Sequence, residues 1–168
     1  MAYRELGQNE SAATYLNQLA GLPNLSVERL FEIGTLLGSL KKHADAAKVM
    51  DSVMARLPAN VPPEQLMEIV RVYGEAGQPD KMIVPLSRYL QLRPNDWNAW
   101  LDMATLSAMR QQQQQMQYAL RKALELGKSQ ALQRIQENGV LRQVAGPVLQ
   151  QMMQQGPVGL PGLGPRGQ

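Results

Sequence analysis

The 168-residue chain contains no cysteine. That excludes a disulfide framework, thiol catalysis and cysteine-ligated zinc. It leaves the compartment open, because a cysteine-free chain tolerates either redox state. There is one histidine, His43, so a paired-histidine metal site is not available. Aromatic residues make up 5%, with a single phenylalanine. No run approaches the roughly 18 apolar residues that a spanning helix needs, so no membrane insertion is expected of this segment. Met1 to Leu6 lacks the apolar run and small-residue cleavage site of a signal peptide. Charge of either sign is also modest: 17 Lys and Arg against 14 Asp and Glu give +3. That falls short of the dense basic stripe of a nucleic-acid binder. The densest basic run, Lys41-Lys42-His43 with Lys48, has no interleaved aromatics and is diluted by Asp45 and Asp51. It reads as a solvated edge, and no nucleic-acid partner is expected.

What is present is helical periodicity. Apolar residues reach 44%, enough for a continuous core, and recur at helical spacing in short runs. Four polar turns align, beginning at Gly7, Lys41, Gly77 and Gln111, with offsets of 34, 36 and 34 residues. Each is flanked by two apolar-periodic runs. A breaker follows each second run: Leu22-Pro23-Asn24, Leu57-Pro58-Ala59, Arg93-Pro94-Asn95 and Gly127-Lys128. Proline stops a helix because it lacks an N–H and clashes with the preceding turn.

Individual residues then carry a resemblance. Tyr89-Leu90-Gln91-Leu92-Arg93-Pro94-Asn95 and Lys122-Ala123-Leu124-Glu125-Leu126-Gly127 look like the second-helix ending of a tetratricopeptide repeat. Trp100 takes the large apolar position held by Leu30 and Leu66 in the units before it. Gly34 and Ala46 match the two small positions where paired helices touch. Gly7-Gln8 and Gly77-Gln78 match the turn between helices. Over roughly residues 1–128 the chain resembles the tetratricopeptide repeat family.

The resemblance implies an all-α fold: a right-handed superhelical stack of antiparallel helix pairs with a C-terminal helical cap. Its units are a truncated one at 1–24, then 27–58, 63–94 and 97–128. Capping helices follow at 129–155, and a flexible Gly/Pro-rich tail at 156–168. The turn at Gln111 to Gln115 has no glycine, so the helix before it is expected to run on by a turn. Asn138-Gly139 reads as a helix stop, and Pro147 after Gly146 as the opening of a last helix. Trp100 is expected in the core, with Trp97 more exposed. Aligned to the other units, Met1 falls in the middle of a first helix. The chain therefore reads as the C-terminal piece of a larger protein of bacterial type. Its first unit, short of partners for Ala12, Leu16 and Leu19, is expected to self-associate.

No catalytic constellation emerges. His43 stands near Asp45, but on a short turn with no nucleophile close in sequence. There is no glycine-rich phosphate loop, no metal-loop spacing of carboxylates and no strained serine elbow. No enzymatic activity, cofactor or metal is expected of this segment.

In the family resembled, the first helix of each unit lines a concave groove. Helical spacing then selects Glu28, Phe31, Glu32 and Thr35 in the second unit. It selects Glu64, Met67, Glu68, Arg71 and Glu75 in the third, and Leu101, Asp102 and Thr105 in the fourth. The expected groove is acidic, with an apolar line Phe31, Met67 and Leu101. Chaperone-binding members of the family clamp a peptide carboxylate with Lys and Asn at these positions. Here Phe31, Met67 and Leu101 replace the Lys, and Thr35, Arg71 and Thr105 replace the Asn, so that mode is not expected. The expected role is a scaffold that holds a basic, amphipathic protein or peptide segment. The alternative is a non-catalytic accessory domain of a larger enzyme, such as a membrane glycosyltransferase, or of an envelope or secretion protein.

Overall fold

Each helix begins and ends where local chemistry dictates. Ser26 caps α2 (Val27–Ser39) by accepting from the Arg29 N–H at 3.3 Å. Asp96 caps α6 (Trp97–Met109), accepting from the N–H groups of Asn98 and Ala99 at 3.0 and 3.2 Å. Pro63 opens α4 (Pro63–Glu75) at a position where no N–H is needed. The computed structural model describes residues 2–154 and the side chains of residues 7–150. The remaining elements are α1 (Ala2–Ala20), α3 (His43–Arg56), α5 (Pro79–Leu92), α7 (Gln113–Glu137) and α8 (Gly139–Gln154). The described residues are all-α, in consecutive helices joined by short turns. The tail at 156–168 lies outside the described residues.

Three turns repeat one hydrogen-bond pattern. Lys41, Gly77 and Gln111 sit at φ of 60°, 66° and 58°. Each donates its N–H three residues back, to Gly38, Gly74 and Ala108. The next residue donates five back: Lys42 to Leu37, Gln78 to Tyr73 and Gln112 to Ser107, at 2.9 Å each. This doubly bonded stop satisfies the last carbonyls of the preceding helix. It also explains why α6 does not run on through the glutamines, as the missing glycine had suggested. Two backbone hydrogen bonds outweigh the left-handed strain at Gln111, on the order of 1 kcal/mol.

The fourth aligned turn does not form. Gly7-Gln8 lies within α1, which runs unbroken from Ala2 to Ala20, with Ser11 Oγ donating to the Gly7 carbonyl at 3.0 Å. A lone glycine inside a helix costs about 1 kcal/mol.

By contact the chain divides into two units, residues 1–85 and 86–168, with the boundary inside α5 at Pro85. In the first unit, α2, α3 and α4 enclose a core of Leu30, Ile33, Leu37, Val49, Met50, Val53, Ile69, Val72 and Tyr73. Gly34 is the close-contact position: a Cβ there would stand 2.8 Å from Met50 Cε. Asp51 braces the unit from outside, accepting from Tyr73 Oη at 3.0 Å and from Lys81 Nζ at 2.6 Å. Burial, then the Asp51 hydrogen bond, raises the Tyr73 hydroxyl pKa.

The second unit packs α6 against α7 through Ala99, Met103, Ala104, Met116, Ala119, Leu120 and Ala123. Helix α7 is interrupted at Lys128, whose φ of 47° and ψ of −122° are not helical. Asn138 starts α8, accepting from the N–H groups of Val140 and Leu141 at 3.0 Å each. So the residue that reads as a stop is equally a start. Helix α8 then continues through Gly146 and Pro147 without a new beginning. Leu141, Ala145 and Val148 recur on one face and are all buried, which holds the helix through the proline.

Candidate functional site

The twelve residues selected as groove-lining fall in both units. In the first unit, α2 and α4 lie side by side, with Gly38 against Arg71 and Val72 at 3.8 and 3.9 Å from a notional Cβ. Glu28, Glu32, Glu64, Arg71 and Glu75 are exposed on these helices. Phe31, Thr35, Met67 and Glu68 are half-buried. Thr35 donates its hydroxyl to the Phe31 carbonyl at 3.0 Å, leaving its oxygen free to accept.

The carboxylates are not all open. Arg71 takes Glu68 by two nitrogens, at 2.8 and 2.5 Å, and Glu75 by a third at 2.5 Å. Arg29 holds Glu32 at 2.9 Å. The Glu68 bond, opposed by burial and reinforced by Glu75, raises the Arg71 pKa further above its already high value. Glu28 has its pKa lowered by hydrogen bonds from its own backbone N–H and from Ser26. These surface pairs contribute little to stability. What they change is the potential. Five carboxylates face the guanidinium groups of Arg29 and Arg71, with Arg56 also acting on Glu28, so carboxylates still outnumber the cations, though by less than the acidic count suggests.

His43 contacts Glu75 and not Asp45: its Nδ1 is 3.3 Å from Glu75 Oε2. Asp45 accepts instead from Asn17 Nδ2 at 3.1 Å. The base-and-orienter pairing that the sequence brings to mind is absent.

In the second unit the expected groove residues are covered by the chain itself. Leu101 is only 3% exposed, so it is no exposed anchor, and the apolar line expected through Phe31 and Met67 does not extend to it. Both α7 and α8 pack on α6. Thr105 donates to the Leu101 carbonyl at 2.9 Å and accepts from Asn138 Nδ2 at 3.5 Å. Asp102 is half-buried there. Burial raises its pKa, against the pull of Arg134 and with a small push from Asp96. A carboxyl whose pKa is raised by folding favours the folded state while protonated. That contribution is lost as pH rises through the folded pKa. Asp102→Asn should therefore raise the melting temperature at neutral pH. The difference from the parent should close as pH falls below the ordinary value of 3.8. Thermal melts at several pH values check this, and a gap that widened in acid would contradict it.

Trp100 is not a core residue. It is half-buried, donates Nε1–H to the Pro94 carbonyl at 2.8 Å and meets Tyr118 edge-on at 5.6 Å. Ala99, Met103 and Ala104 take the core face of α6 and turn Trp100 to its margin. Trp97 is equally half-buried, its ring against Gly127. With Leu90, Met103 and Ala119, Trp100 and Tyr118 line an apolar cleft of about 260 Å³. The sequence signal for it was the coincidence of Trp100 with an aromatic at 118, which repeat alignment ignores.

Among the described residues, no three His, Asp or Glu side chains converge as metal ligands, and no helix is long and apolar enough to cross a membrane. No family model and no curated protein matches this chain. Among solved structures it is similar to the Sgt2 TPR domain from Aspergillus fumigatus, with 15% identity and a TM-score of 0.48. The match covers 79% of this chain and 83% of that one. No property of that domain transfers to this chain.

Proposed function

We propose that residues 1–85 carry a protein-binding face, formed by α2 and α4, for a basic amphipathic peptide or helix. The observation behind this reading is that face's composition. Its excess of carboxylates surrounds two half-buried apolar side chains, Phe31 and Met67. Opposite charge speeds and orients encounter, while apolar contacts hold the partner. The segment acts as an interaction module and contributes no catalytic group.

Fluorescence polarisation with labelled basic amphipathic peptides tests this. Binding should weaken as salt rises. Glu28→Lys with Glu64→Lys, both at exposed positions, should weaken it about tenfold or more. Preferential binding of acidic C-terminal peptides would overturn the reading.

A further inference from the structure

The second unit holds an apolar cleft of about 260 Å³ that no charged side chain lines. Leu90, Met103 and Ala119 line it together with the rings of Trp100 and Tyr118. The two rings stand at 81° to each other with centroids 5.6 Å apart, so they form an aromatic corner. The Trp100 Nε1–H is engaged by the Pro94 carbonyl at 2.8 Å, which fixes the indole and leaves it only apolar contacts to offer. Tyr118 is 55% exposed. Ser87, Gln91 and Gln115 complete the lining, and all three are neutral.

Such a lining sets the chemistry of the occupant. A charged group would be desolvated there without a counter-ion. An uncharged extended segment with proline suits it, because pyrrolidine rings pack on aromatic faces. Glutamine amides can then donate to the carbonyls between them. The chain itself carries such a segment. Residues 156–165, which lie outside the described residues, read Gly-Pro-Val-Gly-Leu-Pro-Gly-Leu-Gly-Pro, with three prolines and no charge. The distance is also suitable. Helix α8 packs on α6 and α7, and its Pro147 shares a second cleft with Gln113 and Met116 of α7. By helical register Gln115 and Tyr118 face the other side of α7. From Gln154 back to Pro147 is about 10 Å, and half-way round one helix is about 15–20 Å. The eleven residues 155–165 span about 34 Å as a polyproline-type chain, which is enough. Tethering raises the local concentration to roughly the millimolar range, so a contact too weak between separate molecules is populated within one.

We propose that the Trp100–Tyr118 cleft is the docking site of the chain's own residues 157–165, bound as an extended, proline-containing segment. This does not rest on the peptide-binding face of the first unit. Acrylamide quenching of tryptophan emission in the full chain tests it, in a Trp97→Phe background so that Trp100 alone reports. Leu160→Asp with Pro161→Asp should increase quenching and shift the emission to longer wavelength, at unchanged far-UV circular dichroism. A synthetic peptide of residues 156–168, added at millimolar concentration to that variant, should reverse both changes. Tyr118→Ala, at an exposed side chain, should weaken the peptide about tenfold. Emission and quenching indifferent to the substitutions at 160 and 161 would overturn the proposal, as would a peptide without effect. So would protection that grows with protein concentration, since a second copy's segment would then fill the cleft. None of these results bears on peptide binding by Glu28 and Glu64.

Discussion

Leu37→Ala is expected to lower the unfolding free energy by about 3 kcal/mol, within the usual range for emptying a closed site in a core. Leu37 is 0% exposed and lies in one cluster with Met50, Val53, Ile69 and Tyr73. These side chains come from three helices, so none can close the space without moving its backbone. The lost burial and the cavity therefore add. Urea unfolding followed by far-UV circular dichroism reads the effect as a lower midpoint at unchanged slope. Val84→Ala, at a side chain 58% exposed, serves as the comparison and should change stability by no more than about 0.5 kcal/mol. A loss below about 1 kcal/mol for Leu37→Ala would mean that α2 does not seal this core.

The second large effect runs against helix propensity. Alanine in a helix is ordinarily better than glycine by about 1 kcal/mol. At Gly127 the sign should reverse. A Cβ there would stand 2.6 and 2.7 Å from Cδ2 and Cγ of Trp97 and 2.8 Å from the Ala131 Cβ. Those two ring atoms are at the base of the indole, next to the backbone, so the ring has to be displaced as a whole. Overpacking of this kind costs roughly 1–3 kcal/mol, enough to exceed the propensity gain. Gly127→Ala should therefore destabilise and alter tryptophan emission, since both tryptophans belong to residues 86–168. Removing the ring in Trp97→Ala should relieve the clash. The double variant should then lose less than the sum of the two single losses. Additive losses would show that Trp97 and Gly127 do not press on each other.

The sequence carried the fold class and most of its punctuation. Turn chemistry and apolar periodicity act over one or two helical turns, so the stops near Lys41 and Gly77 and the buried faces of α2, α3 and α4 were readable from spacing, whereas α6 was expected to run on through Gln111 and does not. Errors came where one local signal was weak or had two meanings. Gly7 lies inside α1, where a lone glycine is tolerated at about 1 kcal/mol. Asn138 caps one helix while ending another, and Pro147 is carried by the buried Leu141, Ala145 and Val148.

What only the tertiary structure decided is which amphipathic faces remain open. Helical spacing places Phe31, Met67 and Leu101 at equivalent positions, yet Leu101 is buried where the other two are half-buried. Leu36 and Val72 are likewise equivalent in register, and they differ in exposure by half the side chain. Acidic residues could be counted from the sequence, but not that Arg71 would hold two of them at 2.5 Å. Periodicity is a property of one helix, whereas burial and ion pairing depend on what lies beside it. For a fold built from repeated helix pairs, the repeat therefore determines the positions, and the neighbouring helices determine which of them stay exposed.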